Sequence, residues 1–263
     1  MTGPERLPPV SALVLAGARA SGDPLCVSER VPSKALIDIQ GEPMLARVLR
    51  ALTLSRRVRE PVHVSGLDDE LLQRASGGLP VRGVISVEGG PAASLLGALG
   101  LDVPIPLLVT TCDHALLTPQ MVDHFLREAI AGDADLTVGL ATRQTIESVY
   151  PQTKRTYLSL GGPELSGCNL FYIATPDALR AVRFWRAAEQ DRKRPWLIAW
   201  RFGPLTALHI LIGRPGVEKV FETVSKRLGT RIKAVLLPFA EAAIDVDSTR
   251  DLELVRDIFT RAR

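Results

Sequence analysis

The chain has 263 residues, 46% of them hydrophobic and 23% charged, with a formal net charge of +3 at neutral pH; this balance describes a globular protein and excludes long disorder. Its three cysteines, Cys26, Cys112 and Cys168, are too few and too scattered for a disulfide framework or a zinc cluster. The small cationic excess is spread along the chain and aromatic residues make up only 5%, so nucleic acid is not an expected partner.

Met1 to Pro9 carry charge and three prolines but no apolar signal-peptide core, which predicts a cytoplasmic address. The first ordered element is expected at Leu13-Val14-Leu15-Ala16, an unbroken apolar run ending at Gly17, the pattern of a strand covered on both faces. Similar runs follow at Val62 to Val64, Val84 to Val87, Leu107 to Val109, Leu136 to Leu140, Leu170 to Ile173 and Ala234 to Leu237. Helical spacing separates most of them, as in Met44, Leu45, Val48, Leu49 and Leu52, or Met121, Val122, Phe125, Leu126 and Ile130. The alternation predicts an α/β fold with a mostly parallel central sheet flanked by helices.

Two helix starts carry explicit chemistry. Thr118 before Pro119 is a cap followed by proline at the first helical position, and Ser248 with Asp251 has capping-box spacing. No repeat or Gly/Ser-rich linker divides the chain, so one domain over residues 1–263 is expected. Trp196 to Ile212 stands apart, apolar but broken by Arg201, Gly203 and Pro204 and preceded by Arg192-Lys193-Arg194. It is too short and broken to span a bilayer. A buried, proline-kinked helix pair is the first expectation, and a basic segment resting on the inner membrane face through 192–212 is the alternative.

The residues with chemistry lie between these elements. Leu15, Ala16, Gly17, Ala18, Arg19, Ala20, Ser21, Gly22 and Asp23 form a small-residue loop after the first strand, whose backbone amides could face an anion. It has neither dinucleotide-fingerprint nor P-loop spacing. Pro32-Ser33-Lys34 follows, then Gly41 and Pro43 ahead of the Met44 helix. Asp113 ends the run Leu107 to Thr111, and a carboxylate at the carboxyl end of a buried parallel strand sits where open α/β sheets bind ligands. Near the carboxyl terminus stands Asp245-Val246-Asp247-Ser248-Thr249-Arg250-Asp251-Leu252, in which alternation puts Asp245 and Asp247 on one side.

The order of Leu15-Ala16-Gly17, an Arg, a later Pro-x-Lys and a Gly-x-Pro-Met helix start resembles the MobA-like NTP transferases, which have a Rossmann-like GT-A fold. Asp113 and the closing Asp-x-Asp segment extend the resemblance, and residues from about 185 to 233 fall outside it as an atypical helical insertion. The resemblance implies a Mg²⁺-dependent nucleotidyltransferase, with Mn²⁺ as a substitute ion, joining an NTP to a phosphorylated small-molecule acceptor and releasing pyrophosphate. In that scheme Arg19 and Lys34 neutralise the leaving pyrophosphate. Leu15, Ala16, Gly17, Ala18, Glu88, Gly89, Gly90 and Ser94 contact the nucleotide. Asp113 and Asp247 hold the metal, with Asp245 as the alternative, and Lys154, Arg155 and Asn169 meet the acceptor.

The basic, apolar stretch favours a lipid-headgroup or CDP-alcohol product, and with it CTP. Two rivals remain open at this point. A nucleotide-sugar glycosyltransferase of the same fold would show Asp-x-Asp on the metal strand, where this chain has Asp113-His114-Ala115. A non-catalytic nucleotide-binding protein would fit Ala18 and that altered turn. The oligomeric state is not readable from the sequence.

Overall fold

The computed structural model describes residues 9–17, 22–84, 90–100, 103–190 and 216–261. Seven strands make one sheet: β1 (Ser11–Leu15), β4 (Val62–Ser65), β5 (Val81–Val84), β6 (Leu107–Thr111), β7 (Leu136–Thr142), β8 (Leu165–Ile173) and β9 (Ile232–Leu236). Their order is β5-β4-β1-β6-β8-β7-β9, and β8 alone runs against its neighbours. A two-stranded hairpin, β2 (Asp38–Ile39) with β3 (Glu42–Pro43), lies apart from it.

The unbroken apolar run of β1 has a simple cause. Ala12 and Val14 join one core cluster with Leu45, Leu49, Val122 and Phe125, while Leu13 and Leu15 join another with Leu95, Leu107, Val109 and Val182. Successive side chains thus serve opposite faces, and both faces are dry. Helices α2 (Met44–Thr53) and α5 (Pro119–Ala131) cover the first face; α4 (Pro91–Gly100) and α7 (Leu179–Gln190) cover the second. The terminal helix α9 (Thr249–Arg261) closes a third cluster with Leu25, Ile37, Met44 and Val246.

Both expected helix starts form. Thr118 Oγ1 accepts from the Met121 amide at 3.3 Å. Ser248 and Asp251 exchange bonds, the Ser248 amide donating to Asp251 at 2.9 Å and the Asp251 amide to Ser248 Oγ at 3.3 Å.

Two boundaries differ from expectation. Strand β5 begins at Val81, three residues before the expected Val84, because an edge strand with exposed Arg82 and Gly83 has no continuous apolar run; residues 85–89, and with them the rest of the expected run to Val87, lie outside the described residues. Strand β8 begins at Leu165, five residues before the apolar run, since its first half mixes buried Leu165 and Cys168 with Ser166, Gly167 and Asn169, the last at φ 49° beside a register shift against β7.

Of the insertion expected at about 185–233, residues 191–215, and with them Trp196 to Ile212, lie outside the described residues. Its described end holds α8 (Val217–Leu228), with Ile232 and Lys233 already in β9. No helix among the described residues is long and apolar enough to cross a membrane.

Candidate nucleotide and metal site

Parallel β1 and β6 end at the same level, Leu15 opposite Thr111, and the Cys112 amide donates to the Leu15 carbonyl at 3.0 Å. Gly17 and Asp113 therefore emerge together at the carboxyl edge of the sheet. The carboxyl-terminal segment is tied to the same point, because the Val246 amide donates to the Asp113 carbonyl at 3.0 Å. Buried Ile244 and Val246 anchor this extended segment and leave Asp245 and Asp247 on the other side. Alternation thus holds, although the segment pairs with no strand among the described residues.

Lys34 completes the cluster. It opens a short 3-10 turn capped by buried Ser33, with Ala35 fully buried behind it. Its Nζ lies 3.3 Å from Asp113 Oδ2, 3.0 Å from Asp247 Oδ1 and 3.8 Å from Asp23 Oδ2. Burial disfavours the ammonium, but Asp113 and Asp247 outweigh it and hold the lysine pKa above its ordinary value. Thr111 Oγ1 donates to the other oxygen of Asp113 at 2.5 Å, fixing the carboxylate plane.

Asp23, the last residue of the small-residue loop, has no site role in the sequence pattern. Its Oδ1 accepts from the Leu25 amide at 2.9 Å as the cap of α1 (Pro24–Glu29), and the Asp-Pro pair was the available signal. Its approach to Lys34 depends on the path of the chain between them, which no local pattern gives.

Asp245, two residues before Asp247, has different partners. Arg155 Nη1 donates to Asp245 Oδ1, Nη2 donates to its carbonyl at 3.0 Å, and Asn169 Nδ2 donates to Oδ2 at 3.1 Å. Burial raises the Asp245 pKa, opposed by Arg155 and reinforced by Asp113 and Asp247. The Arg155 side chain is only 8% exposed and also reaches Asp251 at 3.4 Å. Arg155 and Asn169, expected at an acceptor, are thus turned onto Asp245, whereas Lys154 is exposed.

His114 is buried, with Nδ1 3.4 Å from Thr110 Oγ1. Burial pushes its pKa down to about 4, so it is neutral near pH 7.

The nucleotide-contact candidates are only partly described. Leu15, Ala16 and Gly17 lie at the end of β1; Ala18, Arg19, Glu88 and Gly89 lie outside the described residues. Gly66, at φ 96° after β4, presses on the Gly17 backbone so closely that any Cβ there would overlap it. Gly90 meets Glu189, whose carboxylate also accepts from the Ala92 amide at 3.3 Å at the start of α4; Ser94 is buried within that helix.

A magnesium ion takes six oxygen ligands and often only one or two protein carboxylates, with phosphates and waters completing the set. Asp113 and Asp247 supply two hard oxygens that both reach the Lys34 ammonium, and the Asp247 side chain is 47% exposed. The donor set therefore fits the ion. Among the described residues, no group of three or more His, Cys, Asp or Glu side chains is arranged to hold a metal.

An open, mostly parallel sheet with one reversed strand, carrying acidic and basic groups at its carboxyl edge, is the GT-A-type architecture of nucleotidyltransferases. Residues 12–160 match the MobA-like NTP transferase domain, and the chain belongs to that family. A molybdenum cofactor guanylyltransferase of Pseudomonas putida is 29% identical over 133 residues, half of this chain and 64% of that protein's length. A 3-deoxy-manno-octulosonate cytidylyltransferase of Neisseria gonorrhoeae is 26% identical over 242 residues, covering 88% of this chain and 94% of that protein. A hypothetical transferase from Thermus thermophilus superposes with a TM-score of 0.75 at 29% identity, over 94% of this chain and 100% of the other.

Proposed function

We propose that this protein transfers NMP from an NTP, with CTP favoured, to a phosphorylated small-molecule acceptor and releases pyrophosphate. The observation that carries the reading is the convergence of Asp113 and Asp247, 134 residues apart in sequence order, on the ammonium of Lys34 at the carboxyl edge of the sheet. CTP is supported by the cytidylyltransferase likeness, which runs along 88% of the chain. The segment 192–212, on which the lipid-headgroup expectation rests, lies outside the described residues.

In this reading Asp113 and Asp247 would hold Mg²⁺, with Mn²⁺ as substitute. The bound ion supplies charge neutralisation and alignment of the nucleotide phosphates. An oxygen of the acceptor phosphate forms a bond to the α-phosphorus while the bond from that phosphorus to the pyrophosphate oxygen breaks. Lys34 offsets the charge that gathers on the departing pyrophosphate, and Arg19, outside the described residues, is assigned the same role. An ionised phosphate oxygen needs no general base, which agrees with a neutral, buried His114. Thr111 orients Asp113, while Arg155 and Asn169 position Asp245 behind Asp247. Lys154 is free of the buried network and is assigned to the acceptor phosphate.

The test is pyrophosphate release from each NTP with Mg²⁺ and a panel of phosphorylated alcohols and sugars. CTP is expected to give product, and Asp113→Ala to slow it by about 100-fold or more. Equal rates in wild type and Asp113→Ala would overturn the assigned site. Free NDP from an NDP-sugar would favour the glycosyltransferase alternative, and Mg·NTP binding without product on any acceptor would favour a nucleotide-binding protein.

A further inference from the structure

The position of Lys34 raises a question that the transfer reaction alone does not answer. A lysine that serves phosphates should point toward them, yet its ammonium lies between the two carboxylates assigned to the metal. An ammonium has three N–H donors. Three carboxylates from three separate segments surround it: Asp113 Oδ2 at 3.3 Å, Asp247 Oδ1 at 3.0 Å and Asp23 Oδ2 at 3.8 Å. The side chain is only 14% exposed.

Two close carboxylates repel one another unless a cation lies between them. Lys34 supplies that cation from within the chain, and Asp23, itself fixed as a helix cap, adds a third arm that draws it inward. A free divalent ion entering here must shed tightly held water and also displace a largely covered ammonium paired with three carboxylates. A metal arriving on a triphosphate meets a different balance. Its phosphate oxygens give the ammonium charge-assisted partners at least as good as the carboxylates it leaves. Lysine suits such an exchange because it is a compact charge on a flexible four-carbon stem anchored at its base, here by Ser33 and Ala35.

We propose that Lys34, docked by Asp23, is a displaceable internal counter-ion that keeps free divalent cations out of the Asp113–Asp247 site and admits metal only as the metal–nucleotide complex. This inference rests on the reading of Asp113 and Asp247 as the metal ligands. Metal and nucleotide are then reciprocally coupled, each requiring the other, because both act on the position of one lysine.

Mn²⁺ binding to the full chain without nucleotide, read by electron paramagnetic resonance of the free ion, tests the exchange without reference to turnover. Wild type is expected to bind weakly. Lys34→Met is expected to gain about tenfold or more in Mn²⁺ affinity, within the range of ordinary site–site coupling, and Lys34→Met with Asp247→Asn to lose that gain. Added Mn²⁺ should also raise the melting temperature of Lys34→Met and leave that of wild type unchanged. If Lys34→Met does not fold, Lys34→Gln carries the same expectation.

Wild type binding Mn²⁺ as tightly as Lys34→Met, or a variant that gains nothing, overturns the counter-ion role. Calorimetry of Mg·CTP with wild type and Asp247→Asn then separates the two ideas: weaker binding in Asp247→Asn leaves the metal site standing, and equal binding removes that reading as well.

Discussion

Two charged clusters sit at opposite edges of the same sheet, and their construction differs. At the amino edge of β7, Asp135 is closed on every side: Arg231 donates from its amide at 2.8 Å, Nε at 3.3 Å and Nη2 at 3.1 Å, and Thr175 Oγ1 donates at 2.8 Å. The hydrogen bonds from Arg231 outweigh burial and hold the Asp135 pKa at about 2. At the carboxyl edge, three carboxylates share one lysine, and Asp247 is half exposed. Arg231 holds Asp135 with a fork that satisfies it; Lys34 holds Asp113 and Asp247 with a point charge that can leave. The first pattern ties the starts of β7 and β9 together; in the proposed scheme the second is exchangeable for a ligand.

The widest separation between the clusters should come from matched substitutions. Asp113→Asn or Asp247→Asn is expected to lower transfer by about 100-fold or more, with little loss of stability because Lys34 retains two other carboxylates. Asp135→Asn should do the reverse. Urea unfolding should show a loss of about 1–3 kcal/mol, with kcat within about twofold of wild type. A large stability loss in the first pair, or a large rate loss in Asp135→Asn, would break the comparison.

Acid should separate two buried groups by window. The folded-state pKa of His114, about 4, lies below its ordinary value near 6.5, so the unfolded chain takes up the proton first. The stability tied to neutral His114 is complete above about pH 6.5 and falls as pH drops toward 4, by on the order of 2 kcal/mol. Asp135 follows the same sign at lower pH, its contribution being lost between its ordinary value of 3.8 and about 2. Chemical denaturation across pH 7 to 4 should show the upper loss in wild type and a flatter profile in His114→Gln; identical profiles would refute the assignment.

The smallest expected effect belongs to the acceptor side. Lys154→Ala should raise the acceptor KM by about two- to fivefold with kcat retained, as loss of an exposed charge–phosphate contact does. A fall in kcat of the kind expected for Asp113→Asn would move Lys154 into the reacting centre.

The elements most legible in the sequence are those whose burial is symmetric or whose chemistry is local. Strand β1 reads plainly because Leu13 and Val14 enter opposite dry faces, and Thr118-Pro119 and Ser248/Asp251 carry their capping within four residues. Strand β5 and the start of β8 are obscured, the one by an exposed edge and the other by a mixed segment whose Asn169 bonds Asp245. Asp113, Asp247 and Lys34 are each legible as motif residues, but the pairing of Lys34 with both carboxylates is not. Nor are the inward turn of Arg155 and the third arm from Asp23, because each depends on where a loop folds back over residues distant in sequence.

Anomalous diffraction from crystals grown with Mn²⁺ and a non-hydrolysable CTP analogue tests the assignment most directly. A peak within about 2.2 Å of both the Asp113 and Asp247 carboxylates, with Lys34 moved onto a phosphate oxygen, is the predicted result. A peak elsewhere, with the Lys34 ammonium still between the two carboxylates while nucleotide is bound, would contradict it.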